Sequence, residues 1–310
     1  MNRMPQSLCI ICLFALCLAS ACKKSTGSKT TCTSTLYGIS APSSSTIDTG
    51  ISCIFGTINP TTGVISTLGT LFSHGATNQG TYNSSDNCYY IFRYGYTLYK
   101  VAASGSVTSL TPSGASSYSS PVYNSVTNNL YCISGGNLAQ ISISGTTFLT
   151  TVLATPVHPF RGYLTVDNNT GTIYFASGDT VNNYIEKYTP GSSATSVVAS
   201  VTGVWDFLGM KFNKNDNLLY AIRENYPAGG QDFVKIDPVS GSVTTISIIA
   251  TPAESGVNID FYSTCIDPCT NHYYISTGDG VTGILNQYSM TGTLMTTSFT
   301  TNILQGMTVN

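Results

Sequence analysis

One pattern recurs along this chain and is divided between its two ends. Each copy reads an apolar residue, Asn or Asp, a short turn-rich run, then an apolar or aromatic residue and Tyr. The copies are Tyr82-Asn83…Tyr89-Tyr90, Tyr123-Asn124…Leu130-Tyr131, Val166-Asp167…Ile173-Tyr174, Phe212-Asn213…Leu219-Tyr220 and Ile266-Asp267…Tyr273-Tyr274. Val309-Asn310 opens a sixth copy, and Leu36-Tyr37, at the other end, supplies its second half. A repeat split in this way is what a closed ring needs if one chain is to fasten its first unit with its last.

The repeat tyrosines stand at positions 37, 90, 131, 174, 220 and 274. A period of roughly 40 to 50 residues, with about four short strands per unit, is the signature of a β-propeller. The fifth unit shows the strands most plainly. Gly209–Phe212 reads as an inner strand A, Leu218–Ile222 as B, Phe233–Ile236 as C and Val243–Ile246 as D. An Asn/Asp-rich turn joins A to B, and Asp237-Pro238-Val239-Ser240-Gly241 joins C to D. The expected fold is all-β: a six-bladed propeller of four-stranded antiparallel blades, with the strand from Ile303 to Val309 joining blade 1. No segment has a helical period. Asn213–Asn217 followed by Glu224 imitates a calcium loop, but Leu218 stands where the loop needs Gly, and the segment recurs as a turn in other blades.

The turn motifs, Ile58-Asn59-Pro60-Thr61-Thr62-Gly63 and Ile236-Asp237-Pro238-Val239-Ser240-Gly241 among them, resemble those of the NHL-like and YVTN-like exported propellers. The resemblance spans residues 34–310 and implies the fold; propellers of this kind include hydrolases, lyases, lactonases and pure binding modules.

The N-terminus carries a different message. Arg3 precedes the apolar run Leu8–Ala19, and Ser20-Ala21-Cys22 follows, the layout of a secretion signal over residues 1–21. Ser20-Ala21-Cys22-Lys23-Lys24 resembles the bacterial lipoprotein box, notably its Bacteroidota form. That implies lipidation of Cys22, a polar tether over residues 22–33, and a place in the cell envelope, on the periplasmic side or the cell surface. Six cysteines remain after it, and the close pair Cys265–Cys269 is the expected disulfide. Cys132, within Leu130-Tyr131-Cys132-Ile133, reads as a buried thiol.

Charged residues make up only 8% of the chain, and the net charge is −2. Without a basic run, nucleic acid is an unexpected partner. In antiparallel blades the A–B and C–D turns share one face, and the longer B–C and D–A loops share the other. Unusual residues gather on the loop face, where function is commonly carried. His158, Arg161, Trp205, Asp206 and Asp260 stand just before inner strands and are the expected lining of a central funnel. Trp205 could stack a sugar while Asp206 and Arg161 bind its hydroxyls. Asp206 and Asp260 occupy matching places in adjacent blades and could form an acid pair. No nucleophile elbow is present, and no metal or cofactor is required. The expected function is a monomeric binding or scaffold module for a glycan, peptide or protein. The alternative is a lactonase- or glycoside-type hydrolase or lyase using the funnel acids with a divalent metal.

Overall fold

The computed structural model describes residues 32–41, 53–71, 76–93, 96–179, 182–225, 229–250, 260–278, 282–300 and 302–310. The expected signal, Cys22, most of the expected tether and several segments between strands lie outside these. All regular structure among the described residues is β-strand.

The strands follow the repeat. Blade 1 takes β1 (Leu36–Ala41), β2 (Ile54–Ile58) and β3 (Ile65–Thr70); blade 2 takes β4 (Ala76–Asn83), β5 (Cys88–Arg93), β6 (Thr97–Ala102) and β7 (Val107–Pro112). Blade 3 is β8 (Tyr118–Asn124), β9 (Asn129–Ser134), β10 (Asn137–Ser144) and β11 (Thr147–Ala154). Blade 4 is β12 (Phe160–Val166), β13 (Ile173–Gly178), β14 (Asn182–Tyr188) and β15 (Ser196–Thr202). Blade 5 is β16 (Val204–Asn213), β17 (Leu218–Asn225), β18 (Gln231–Ile236) and β19 (Val243–Ala250). Blade 6 is β20 (Asp260–Asp267), β21 (His272–Gly278), β22 (Gly283–Ser289) and β23 (Leu294–Thr300). The last strand, β24 (Ile303–Val309), pairs antiparallel with β1 and completes blade 1 in the order β24-β1-β2-β3. The six-bladed ring is closed as the split repeat requires.

The repeated Asn or Asp has a local cause. Its Oδ1 accepts the backbone N–H two residues on at Asn83, Asn124, Asp167, Asn213 and Asp267, over 2.8–3.1 Å. This Asx turn reverses the chain from strand A to strand B. In the divided copy the bond is made between the chain's two ends: Thr35 N–H donates to Asn310 Oδ1 at 2.8 Å. The repeated Tyr anchors the same turn. Tyr220 Oη donates to Asp216 at 2.7 Å and Tyr90 Oη to Asp86, each four residues back.

Six apolar clusters fill the seams between neighbouring blades, one to each seam. Strand B is therefore covered on both faces. Every residue of β13 is buried, and β5 and β21 are buried except at one end. These strands read as continuous apolar runs because neither face meets water. The outer strand β3, by contrast, is half-buried to exposed along its length. Inner strands are stitched to their neighbours by hydroxyls: Thr81 Oγ1 accepts Tyr123 N–H, Thr165 Oγ1 accepts Phe212 N–H, and Ser263 Oγ accepts Met307 N–H, at 2.7–2.9 Å.

Two features depart from the sequence expectation. The outer strands of blades 2 and 3 pair in parallel, with Thr111 beside Thr147, joining the two blades into one eight-stranded sheet. The expected Cys265–Cys269 disulfide is not formed: Cys265 is a free, buried thiol, whereas Cys269 is disulfide-bonded, as is Cys32. The reason is strand geometry. β20 directs Cys265 into the apolar seam with Met307 and Tyr274, while Cys269 sits in the turn beyond the strand's end. Cys132 is a buried free thiol in the seam between blades 2 and 3, as its neighbours suggested.

Candidate functional site

β12 and β16, the inner strands of adjacent blades, place Arg161 and Asp206 near the loop face. Asp206 is the cross-strand partner of Glu224 on β17, so two carboxyls face each other on one blade. Both are half-buried, as is Arg161. Burial pushes the Asp206 carboxyl up to about 6; the Glu224 carboxylate adds to the rise, while the Phe207 N–H and the Arg161 guanidinium oppose it. Phe207 N–H donates to Asp206 Oδ1 at 2.7 Å. Gln231 Nε2 donates to Glu224 Oε1 at 3.3 Å, and Arg161 Nη2 donates to the Asp179 carbonyl. The result is an acid that changes charge near neutral pH, with a second carboxyl residue paired across the strand and a guanidinium on the neighbouring blade within electrostatic reach. Such a group can bind hydroxyls as donor or acceptor, and it can carry a proton.

Arg161 and Asp206 thus come together, and the acid that joins them is Glu224 from the same blade. The side chains of Trp205 and Asp260 lie outside the described residues. His158 is not at the funnel. It lies beside β14, the third strand from the axis, stacked on Tyr184 with ring centroids 3.6 Å apart. Its ring Nδ1 is 3.2 Å from Glu186 Oε1, and its backbone N–H donates to the same oxygen at 2.9 Å. The loop before β12 runs along the blade, so standing just before an inner strand in sequence does not bring a side chain to the axis.

Glu186 organises that contact. It is fully buried and accepts Ser177 Oγ at 2.6 Å, Thr195 Oγ1 at 2.7 Å and Val157 N–H at 2.8 Å, besides His158 N–H. Burial alone would raise its carboxyl pKa, but these donors outweigh burial and hold it below the ordinary value. Glu186 is a clasp between a loop and a blade. Its one sequence signal was rarity, as one of three Glu in the chain.

A second polar space lies at the opposite end of the axis, where the loop-face reasoning did not point. A cavity of about 360 Å³ is lined by inner-strand and turn residues of all six blades, among them Thr81, Thr165, Lys211, Cys265 and Asn310. Gln79 closes it across the axis, because its amide accepts Leu164 N–H at 3.2 Å and donates to Leu164 O. Among the described residues Lys211 and Lys214 are its charged lining residues, and no described carboxylate lines it. Among the described residues no group of three or more His, Cys, Asp or Glu could hold a metal ion.

No protein-family model and no curated protein matches this sequence. Solved structures match the fold. A chain of the nidogen/laminin complex superposes with a TM-score of 0.66 at 11% identity, over 89% of this chain and 98% of that one. TolB from Acinetobacter baumannii gives 0.65 at 11% identity, over 89% of this chain and 66% of that one. A catalytically inactive variant of virginiamycin B lyase from Staphylococcus aureus, solved with quinupristin, gives 0.53 at 13% identity, over 84% and 83%. At these identities the likeness is one of fold, and the chain is a β-propeller.

Proposed function

We propose that this propeller is an exported binding module, held in the bacterial cell envelope by a lipid on Cys22, that captures a glycan at its loop face. The observation that carries the reading is the grouping of Arg161, Asp206 and Glu224 in a chain with so little charge. Carboxylates accept from paired sugar hydroxyls and a guanidinium donates to them, so the group offers both halves of hydroxyl recognition. Trp205 adjoins Asp206 in sequence and would supply the stacking face. A glycan is favoured over a peptide or protein because the three groups are half-buried and close together, which suits a small polyhydroxylated unit better than a broad interface. The likeness to a chain of the nidogen/laminin complex supports a propeller used for binding, and the likeness to a lyase supports the enzymatic alternative.

Replacing Asp206 tests the site. In the Asp206→Asn variant, capture of glycans on an array should fall at least tenfold while the fold is retained. The same variant should be more stable than the parent at pH 7. Asp206 has a raised folded-state pKa, so the parent's stability is greatest below the ordinary value of 3.8 and declines as pH rises through about 6. The variant escapes that decline, by about 1–3 kcal/mol, and the two proteins should melt alike near the acid end of their range. Unchanged glycan capture by Asp206→Asn and Arg161→Ala would remove the proposal. The anchor is tested separately: Cys22→Ser should move the protein from the membrane fraction to the soluble fraction, and a parent protein without lipid on Cys22 by mass spectrometry would refute it.

One observation favours the enzymatic alternative. An acid poised near pH 6 beside a carboxylate suits proton transfer. Turnover of a glycan or lactone with a pH profile that breaks near 6 and is lost in Asp206→Asn would select it.

A further inference from the structure

The axial cavity on the turn face contains a charge without a counter-charge. Lys211 lies on β16 and faces the cavity. Among the described residues its ammonium has no ion-pair or hydrogen-bond partner. The titratable group that acts on it is the thiol of Cys265, on the next blade's inner strand. Burial pushes that thiol up to about 12, so it is neutral across the ordinary pH range and does not balance the lysine. Lys214, on the adjoining turn, has the same sign as Lys211. Lys211 is half-buried, so its ammonium has shed part of its hydration without gaining an anion of the protein, and burial lowers its pKa to about 8 accordingly. The surrounding wall is not apolar throughout. Thr81, Thr165 and Asn310 bring hydroxyls and an amide to the same space as Phe212 and Met307. About 360 Å³ falls within the range of small-ligand pockets, roughly 300–1,000 Å³.

We propose that this cavity is a second ligand site, separate from the loop-face group, that binds a small organic carboxylate with Lys211 as its counter-ion. The carboxylate replaces the missing anion, and the hydroxyl and amide lining receives the rest of the molecule. Two sources share this chemistry: a free hydroxy acid, and the C-terminal carboxylate of a peptide entering from the turn face.

The test uses gluconate for the first source and N-acetylglycine, beside its uncharged amide, for the second, each titrated into the full propeller and read by calorimetry and backbone NMR. At least one carboxylate should bind at millimolar concentration and shift the amide signals of residues 211–213, and N-acetylglycine amide should not. Stronger binding of gluconate assigns a hydroxy acid, and stronger binding of N-acetylglycine assigns a peptide terminus. Lys211→Met keeps the length of the chain and removes the charge, and it should weaken the bound probe about tenfold or more. A readout that needs no variant is acylation of the parent protein by acetic anhydride: the bound probe should protect Lys211 and leave surface lysines reactive. Failure of both carboxylates to bind, equal binding of the amide, or undiminished binding by Lys211→Met would overturn the proposal. The signals of residues 211–213 and the protection of Lys211 report this cavity alone, so each outcome is read there and not at the loop-face site.

Discussion

A protein lacking Ile303–Asn310 should lose its cooperative thermal transition and accumulate as insoluble chain, although the segment is a single strand at one end. The strand is the inner edge of blade 1 and the closure of the ring. It pairs with β1 from Leu36–Val309 to Ala41–Ile303. Ile303, Leu304 and Met307 are almost fully buried, and two of them belong to the seam cluster between blades 6 and 1. Burying each such side chain is worth about 1.5–3 kcal/mol. Tyr89 Oη also loses its acceptor, the Gly306 carbonyl at 2.6 Å, inside the protein, and Ser263 Oγ loses the Met307 N–H. The sum is comparable to the whole net stability of a domain, about 5–15 kcal/mol. Met307→Ala gives the graded version: a stably folded protein weaker by about 2–4 kcal/mol in denaturant unfolding. A truncated protein that melts like the parent would show that closure contributes nothing.

Glu186→Ala should cost about 3–5 kcal/mol, far more than a polar side chain ordinarily carries. The variant leaves Val157 N–H, His158 N–H, Ser177 Oγ and Thr195 Oγ1 without the acceptor they share. His158→Ala removes only one arm of the contact and should cost about 1 kcal/mol. The acid limb of stability separates this role from simple packing. Glu186 has a lowered folded-state pKa, so its contribution is complete above the ordinary value of 4.5 and is lost as pH falls through the lower folded value. The parent should therefore lose stability on acidification more steeply than Glu186→Ala. Parallel stability curves for the two proteins down to that range would contradict the clasp.

The fold was legible because its signals are local. Asn213 bonds the N–H of Asn215, and Tyr220 bonds Asp216, within one turn of chain. Such short-range contacts repeat with the blade, so their spacing reports the blade count. The site was legible in part. Arg161 and Asp206 were visible as rare charges before inner strands, yet their partner Glu224 required the register of β16 on β17, which slips at two bulges. His158 had the same sequence setting as Arg161 and was drawn to Glu186 instead. The disulfide was misread for a related reason, since closeness in sequence says nothing of which side of a strand each thiol takes.

The sequence by itself determined the strand count, the turns, the split blade and the all-β class, because each depends on residues within a few positions of one another or on a simple period. The tertiary structure alone decided that Glu186 would clasp a loop, that blades 2 and 3 would share a sheet, and that Lys211 would line the axial cavity. Those outcomes depend on which blades touch and at what register, and on burial from both sides at once. The physical reason is that a buried charge takes its character from its neighbours in space, and in a ring those neighbours come from separate turns of the repeat.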